Sequence, residues 1–179
     1  AKKKGMKLIV IDPRETELAS SADIHLQPIP GEDPTLLAGI LNIIFEKSIY
    51  DHNFCDEWVE PSTLNSLIKS ISRFTPEYVA KRCDVDQGAI IEAALMFANG
   101  KKGGAGTGTG PSMAPHSSLT EHLIICLNVI CGRYNREGDL VESGNFLSPD
   151  SPRLAQVIPA KDPTPGPPSR FRNLRGYRG

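Results

Sequence analysis

No stretch of this 179-residue chain reaches the roughly 18 consecutive apolar positions that a membrane-spanning helix needs. An excess of charge is lacking too. Twenty lysines and arginines stand against 21 aspartates and glutamates, which removes any global electrostatic argument for nucleic acid or an acidic membrane surface. The basic runs Lys2-Lys3-Lys4 and Arg170, Arg172, Arg175, Arg178 sit at the two ends and read as solvated chain ends. Cysteine is scarce and unpaired: Cys55, Cys83, Cys126 and Cys131 make no CxxC, and His25, His52, His116 and His122 lack metal-ligand spacing. No metal site is therefore expected, and Cys126 and Cys131, inside an apolar helical pattern, read as small core residues. The single tryptophan, Trp58, is assigned to packing. The N-terminal stretch does not read as a signal peptide, because its lysines lead into a strand pattern.

What is present suffices for one core of ordinary size plus a tail, at 39% hydrophobic residues. Lys7 to Ile11 is a short β-branched run bounded by Gly5 and Pro13, which suits a buried parallel strand, and Ile24-His25-Leu26 repeats it more weakly. Between them, Arg14 to Ser21 reads as a turn or a helix of about two turns. Strand, crossover and second strand are α/β punctuation. From Asp33 the period changes. Asp33 as N-cap and Pro34 as first helical residue open a helix to Lys47 whose leucines and isoleucines form a wide apolar face. Four helical pieces follow, with Thr75 capping and Pro76 opening the third.

The glycine-rich stretch GKKGGAGTGTGPSMAPH then interrupts the pattern. After it, Ser118 and Glu121 have capping-box spacing and a helix runs to Cys131, stopped by Gly132. A glycine loop entering a helix can hold an anion on backbone N–H groups. From about Asn145 onward the chain is proline-rich and without period, which reads as a linker or a tail. The opening AKKKGMKLIV reads as starting within a domain.

Two acidic loops raise the question of function. Asp12 ends the first strand pattern, where open α/β sheets place ligands and where a carboxylate can accept from ribose hydroxyls; Asp12-Pro13 also suits a plain turn. Arg14 and Thr16 follow on the same loop and can reach a phosphate, although Arg14 suits solvent equally. Pro30-Gly31-Glu32-Asp33 precedes a helix, so Asp33 reads either as an N-cap or as a carboxylate that accepts from two adjacent donors, the pair guanine offers on N1 and its amino group. The GAGTGTG stretch does not follow a convincing strand and lacks G-x-G-x-x-G spacing, which disfavours an NAD-dependent dehydrogenase.

The segments GMKLIVIDPRETELASSADIHLQPIPGEDPTLLAGILNIIFEKSIYDHNF, FTPEYVAKRCDVDQGAIIEAALMFA and LNVICGRYNREGDLV, in order over about residues 1–145, resemble the molybdopterin oxidoreductase family of dimethyl-sulfoxide-reductase type, which includes formate dehydrogenases and nitrate reductases. The resemblance implies an α/β domain over 1–145, a Rossmann-like open parallel sheet flanked by helices, with 146–179 as linker or tail. It further implies a fragment of a molybdenum or tungsten enzyme that binds the guanosine part of a molybdopterin guanine dinucleotide. Carried over by position, Asp12, Pro13, Arg14 and Thr16 match the family's first dinucleotide loop, and Pro30, Gly31 and Asp33 its second, with Glu32 where threonine is commoner. Gly110 to His116 matches a segment near the pterin, with Met113 where many members have glutamine. Arg133, Glu137 and Asp139 depart from the family's glycine turn.

No cysteine quartet for an iron–sulfur cluster, no metal-ligating residue and no C-terminal dinucleotide-binding barrel are recognisable in the sequence. No catalytic residue and no bound metal are thus expected in the fragment alone. The implied partners are the remaining domains of a parent enzyme and iron–sulfur electron-transfer subunits. Substrate and compartment, cytoplasmic or periplasmic, stay open. The alternative is a stand-alone nucleotide-binding or interaction module without redox activity.

Overall fold

The computed structural model describes residues 5–141 and 153–154. The expected tail from 146 and the basic runs at both ends lie outside them, apart from residues 153–154. The chain divides into two compact units, Ala1–Tyr134 and Asn135–Gly179.

The first unit begins with β1 (Ile9–Ile11), a single helical turn α1 (Glu17–Ser20) and β2 (Ile24–Leu26). The two strands pair in parallel, Ile9 opposite Ile24 and Ile11 opposite Leu26. Parallel neighbours need a crossover of about a dozen residues, and residues 12–23 supply it. Thr16 starts α1 by accepting from the Ala19 N–H at 3.2 Å. Among the described residues the sheet of this unit is these two strands, so the open parallel sheet expected from the sequence is represented by one strand pair and the unit is mostly helical. The physical reason lies in the composition. Past Leu26 the apolar residues of this unit recur at helical spacing, and helices built on that spacing follow one another from residue 33 to 130.

Those helices are α2 (Asp33–Glu46), α3 (His52–Trp58), α4 (Pro61–Ile71), α5 (Pro76–Cys83), α6 (Gln87–Asn99), α7 (Thr109–Met113) and α8 (Ser117–Ile130). Helix α2 is the axis of the core. Every residue from Leu36 to Ile44 is buried, which a helix tolerates only when neighbours cover all its sides. Here α4, α5, α6 and α8 do so. Each fully buried leucine or isoleucine contributes about 1.5–3 kcal/mol relative to exposure. Leu36, Leu41, Ile43 and Ile44 are all under 2% exposed, so α2 holds much of the unit's stability. Side-chain caps open three of the other helices: Asp51 for α3, Thr75 for α5 and Asp86 for α6, each accepting from a backbone N–H three residues on.

Several expectations are corrected. Strand β1 is shorter than Lys7–Ile11, because the Leu8 N–H turns aside to the Asp23 carboxylate at 2.8 Å. Asp33 does not cap α2. Glu32 occupies the cap position without a side-chain cap bond, Asp33 is the first helical residue and Pro34 the second. The capping box Ser118–Glu121 does not form either, since α8 starts one residue earlier from His116 in the left-handed conformation, and Glu121 is engaged elsewhere. Trp58 is 51% exposed at the end of α3, so packing does not account for it. The cysteine reading holds for Cys131, which is buried, while Cys126 is half-buried.

The second unit, among its described residues, pairs β3 (Leu140–Val141) with β4 (Arg153–Leu154) antiparallel, Leu140 opposite Leu154.

Candidate functional site

Parallel pairing sends the loops after β1 and β2 out of the same end of the sheet, which brings the two acidic loops together. The first is fastened at three points to β2 and the residue that follows it. The Asp12 N–H donates to the Leu26 carbonyl at 3.1 Å, a His25 ring nitrogen meets the Asp12 carbonyl oxygen at 2.9 Å, and Gln27 donates to the Pro13 carbonyl at 3.4 Å. Within the loop, Asp12 accepts from the Arg14 N–H at 2.8 Å, an Asx turn that leaves its second carboxylate oxygen open. The Arg14 side chain is 83% exposed and lies 3.9 Å from Asp12. Thr16 spends an acceptor lone pair on the α1 cap and keeps its hydroxyl hydrogen.

The second loop, Pro30 to Asp33, is held from the other side by the end of α5. The Ile29 N–H donates to the Cys83 carbonyl at 2.9 Å, the Cys83 thiol points to the Glu32 carbonyl at 3.8 Å, and Arg82 forms an ion pair with Glu32 at 2.7 Å. Thr35 also donates to Glu32 at 2.7 Å. The Arg82 hydrogen bond, with the Thr35 hydroxyl and the charges of Arg82 and His116 behind it, holds the Glu32 carboxyl below the usual range, against a smaller opposing effect of burial. Burial pushes the Cys83 thiol up to about 12, so it is a neutral packing group and not a nucleophile. Gly31 turns the loop with φ +93°. Asp33, two residues on and half-buried, takes no hydrogen bond or ion pair from the described residues.

The glycine stretch is the third predicted segment. His116 is exposed and is the last and smallest of the influences that lower the Glu32 carboxyl. Met113 is 82% exposed, and the position of a side chain at Gly110 would be open space. The stretch is less loose than its composition suggests. Asn128 accepts from the Ala105 N–H at 2.8 Å and donates to the Ala105 carbonyl at 2.9 Å. Glu121 accepts from Thr107 at 2.5 Å and from Ser112 at 3.1 Å. Arg133 donates to the carbonyls of Phe97 and Gly100, its guanidinium lying 5.1 Å over the Phe97 ring. A cation on the last carbonyls of α6 also suits the negative end of that helix.

Among the described residues no cluster of three metal-ligating side chains occurs, and no helix is long and apolar enough to cross a membrane. Sequence reasoning missed Arg82, Thr35, His25, Glu121 and Asn128 as organisers of the loops. Nothing in local spacing marks them, because each acts on a segment placed beside it only by the fold or, for Thr35, on a cap residue misassigned by one position.

No protein-family model matches the chain. Individual relatives do. It is 35% identical over 138 residues to the F420-dependent formate dehydrogenase subunit alpha of Methanocaldococcus jannaschii, covering 77% of this chain and 20% of that one. It is 26% identical over 159 residues to the thiosulfate reductase molybdopterin-containing subunit of Salmonella typhimurium, covering 81% and 19%. The solved acetylene hydratase from Pelobacter acetylenicus superposes with TM-score 0.71 at 30% identity, over 78% of this chain and 20% of that chain. Its homologues are molybdopterin oxidoreductases. The family resemblance read from the sequence is thereby borne out, and the helical unit with its short parallel sheet matches a segment of an oxidoreductase fold. The chain spans about a fifth of the length of these molybdopterin oxidoreductase relatives.

Proposed function

We propose that this chain is the part of a molybdenum- or tungsten-dependent oxidoreductase that cradles the guanosine of one molybdopterin guanine dinucleotide. The observation that carries the reading is Asp33: a half-buried carboxylate at the start of a 14-residue helix, beside a loop end locked by Arg82, with no protein partner among the described residues. An acceptor-only group left unpaired at the ligand edge of a parallel sheet suits the paired N–H donors of guanine.

The rest of the donor set fits such a group. Asp12 retains a free carboxylate oxygen for ribose hydroxyls, and Arg14 and Thr16 on the same loop offer a cation and a hydroxyl for phosphate. Pro30 and Gly31 shape the second loop. Gly106 and Gly108 add a separate sign. A side chain at either would meet nothing within 4 Å, and neither has a left-handed φ, so the chain's own packing does not demand glycine there. Close approach of another group does explain it. On this reading the segment from Gly110 through Met113 to His116 runs near the pterin.

When bound, the cofactor supplies two-electron chemistry at its metal, and the protein supplies binding and orientation. Asp33 orients the base, Asp12 and Arg14 the ribose and phosphates, and the buried core behind α2 keeps these loops in register. The β1–β2 pair is then one piece of a wider, Rossmann-like parallel sheet whose other strands belong to the rest of the parent enzyme, with 1–145 as the cradling domain and 146–179 as linker. The same parent supplies the metal ligand and the contact with iron–sulfur electron-transfer subunits.

The test is Asp33→Asn in the full-length parent enzyme, with GMP released by acid hydrolysis and thermal stability measured together. A charged acceptor making two bonds contributes about 1.5–3 kcal/mol per bond, so a tenfold or greater loss of retained nucleotide is expected. Stability changes little, because Asp33 is not the cap. Wild-type GMP content in the variant would end the proposal.

A further inference from the structure

The helix that follows the glycine stretch presents two polar side chains seven positions apart, and therefore on one face. Both are spent on the glycine stretch and not on solvent. Asn128 makes a two-bond ring with the Ala105 peptide, donating to its carbonyl at 2.9 Å and accepting from its N–H at 2.8 Å. The amide does both at once, from its two ends, whereas an ionised carboxylate accepts and cannot donate. Asn128 is itself steadied by a bond to the Ile124 carbonyl at 3.0 Å. One oxygen of Glu121 collects Thr107 and Ser112, from the two sides of Gly108. A segment with this much glycine would otherwise spread over many backbone conformations.

We propose that Asn128 and Glu121 are positioning residues, which template the segment from Ala105 to Ser112 into the single course that meets the cofactor. Neither touches the cofactor. They act through the backbone they hold, and the bare edge at Gly106 and Gly108 is useful only while that backbone stays put. The inference rests on the reading that the glycine stretch borders the pterin, and it assigns that site two determinants of geometry well away in sequence from the two acidic loops.

The experiment uses the full-length, cofactor-loaded enzyme with Asn128→Asp, Glu121→Ala, Glu121→Gln and, as a marker of the site itself, Gly108→Leu. Hydrogen exchange of peptides covering 103–113 is followed by mass spectrometry, together with the paramagnetic resonance spectrum of the metal and the melting temperature. Asn128→Asp keeps the shape of the side chain but loses the bond to the Ala105 carbonyl. Exchange in 103–113 is expected to quicken at least tenfold in Asn128→Asp and Glu121→Ala, with an altered metal spectrum. Glu121→Gln, which retains an acceptor oxygen, should restore both. Unchanged exchange in the first two variants would overturn the proposal, because the contacts would then not hold the segment. Faster exchange with an unaltered spectrum, while Gly108→Leu does alter it, would also overturn it and leave the cofactor reading standing. An unaltered spectrum in all four variants would overturn both.

Discussion

Arg82 near the end of α5 donates to Glu32, the residue preceding α2, at 2.7 Å, so the loop that ends in the unpaired Asp33 is fastened by a pair whose members lie far apart in sequence. The Ile29 to Cys83 backbone bond runs alongside. Two neighbouring carboxylates thus have different duties: Glu32 is consumed by the fold and Asp33 is left over.

The Glu32 carboxyl is depressed, chiefly by the Arg82 hydrogen bond. A depressed carboxyl contributes stability that is fully present above its unfolded-state value and fades as pH falls through the lower, folded-state value. Wild type should therefore melt above Glu32→Gln at neutral pH, and the gap should close on acidification below the ordinary carboxylate range of about 4. Calorimetric melting of both proteins across that range is the measurement. A gap that does not vary with pH would mean that the charge of Glu32 is not what stabilises the loop.

At Gly39, α2 comes close against Val79 of α5. A Cβ there would lie 2.7 Å from one methyl of Val79 and 3.1 Å from the other. Gly39→Ala gains about 1 kcal/mol of helix propensity but overpacks a buried contact, at about 1–3 kcal/mol, and should destabilise on balance. In a Val79→Ala background the clash is gone, and the same substitution should turn stabilising. Urea denaturation of the four proteins of this cycle reads the coupling; additive effects would contradict it.

Gly108 lies in extended backbone, φ −112°, with open space where a side chain would be. Gly108→Ala should stabilise this chain by about 0.4–1 kcal/mol, through the unfolded state. In the parent enzyme the same change should lower cofactor loading, if a ligand lies against that edge. Stability and loading moving in opposite directions is the expected signature; full loading would remove the glycine argument from the proposed site.

The sequence was informative where structure is local. The burial of α2 follows from its run of leucines and isoleucines, the Thr75-Pro76 start of α5 from cap chemistry, and the two strands from short β-branched runs between turn residues. It misled by one residue at Asp33, because Glu32-Asp33-Pro34 offers two acidic candidates and a proline accepted at either of the first two positions of the helix. Glu121 looked like half of a capping box, and it found hydroxyls at 107 and 112 instead. The width of the sheet could not be read from strand patterns either, since a parallel pair looks the same in sequence whatever stands beside it. That the two acidic loops share one sheet edge followed from parallel pairing; that α5 locks the second required the packed structure.

Among the described residues of the first unit, β1 and β2 pair only with each other, so each keeps one side of unbonded N–H and C=O groups along Ile9–Ile11 and Ile24–Leu26. Such rows are templates for a further strand, and isoleucine-rich ones recruit it readily. When this chain is produced by itself, a strand of a second molecule is the expected occupant of such a row. Its solubility should therefore fall with concentration in the manner of edge-to-edge self-assembly, and a lysine introduced at an edge position should improve its yield without touching either acidic loop.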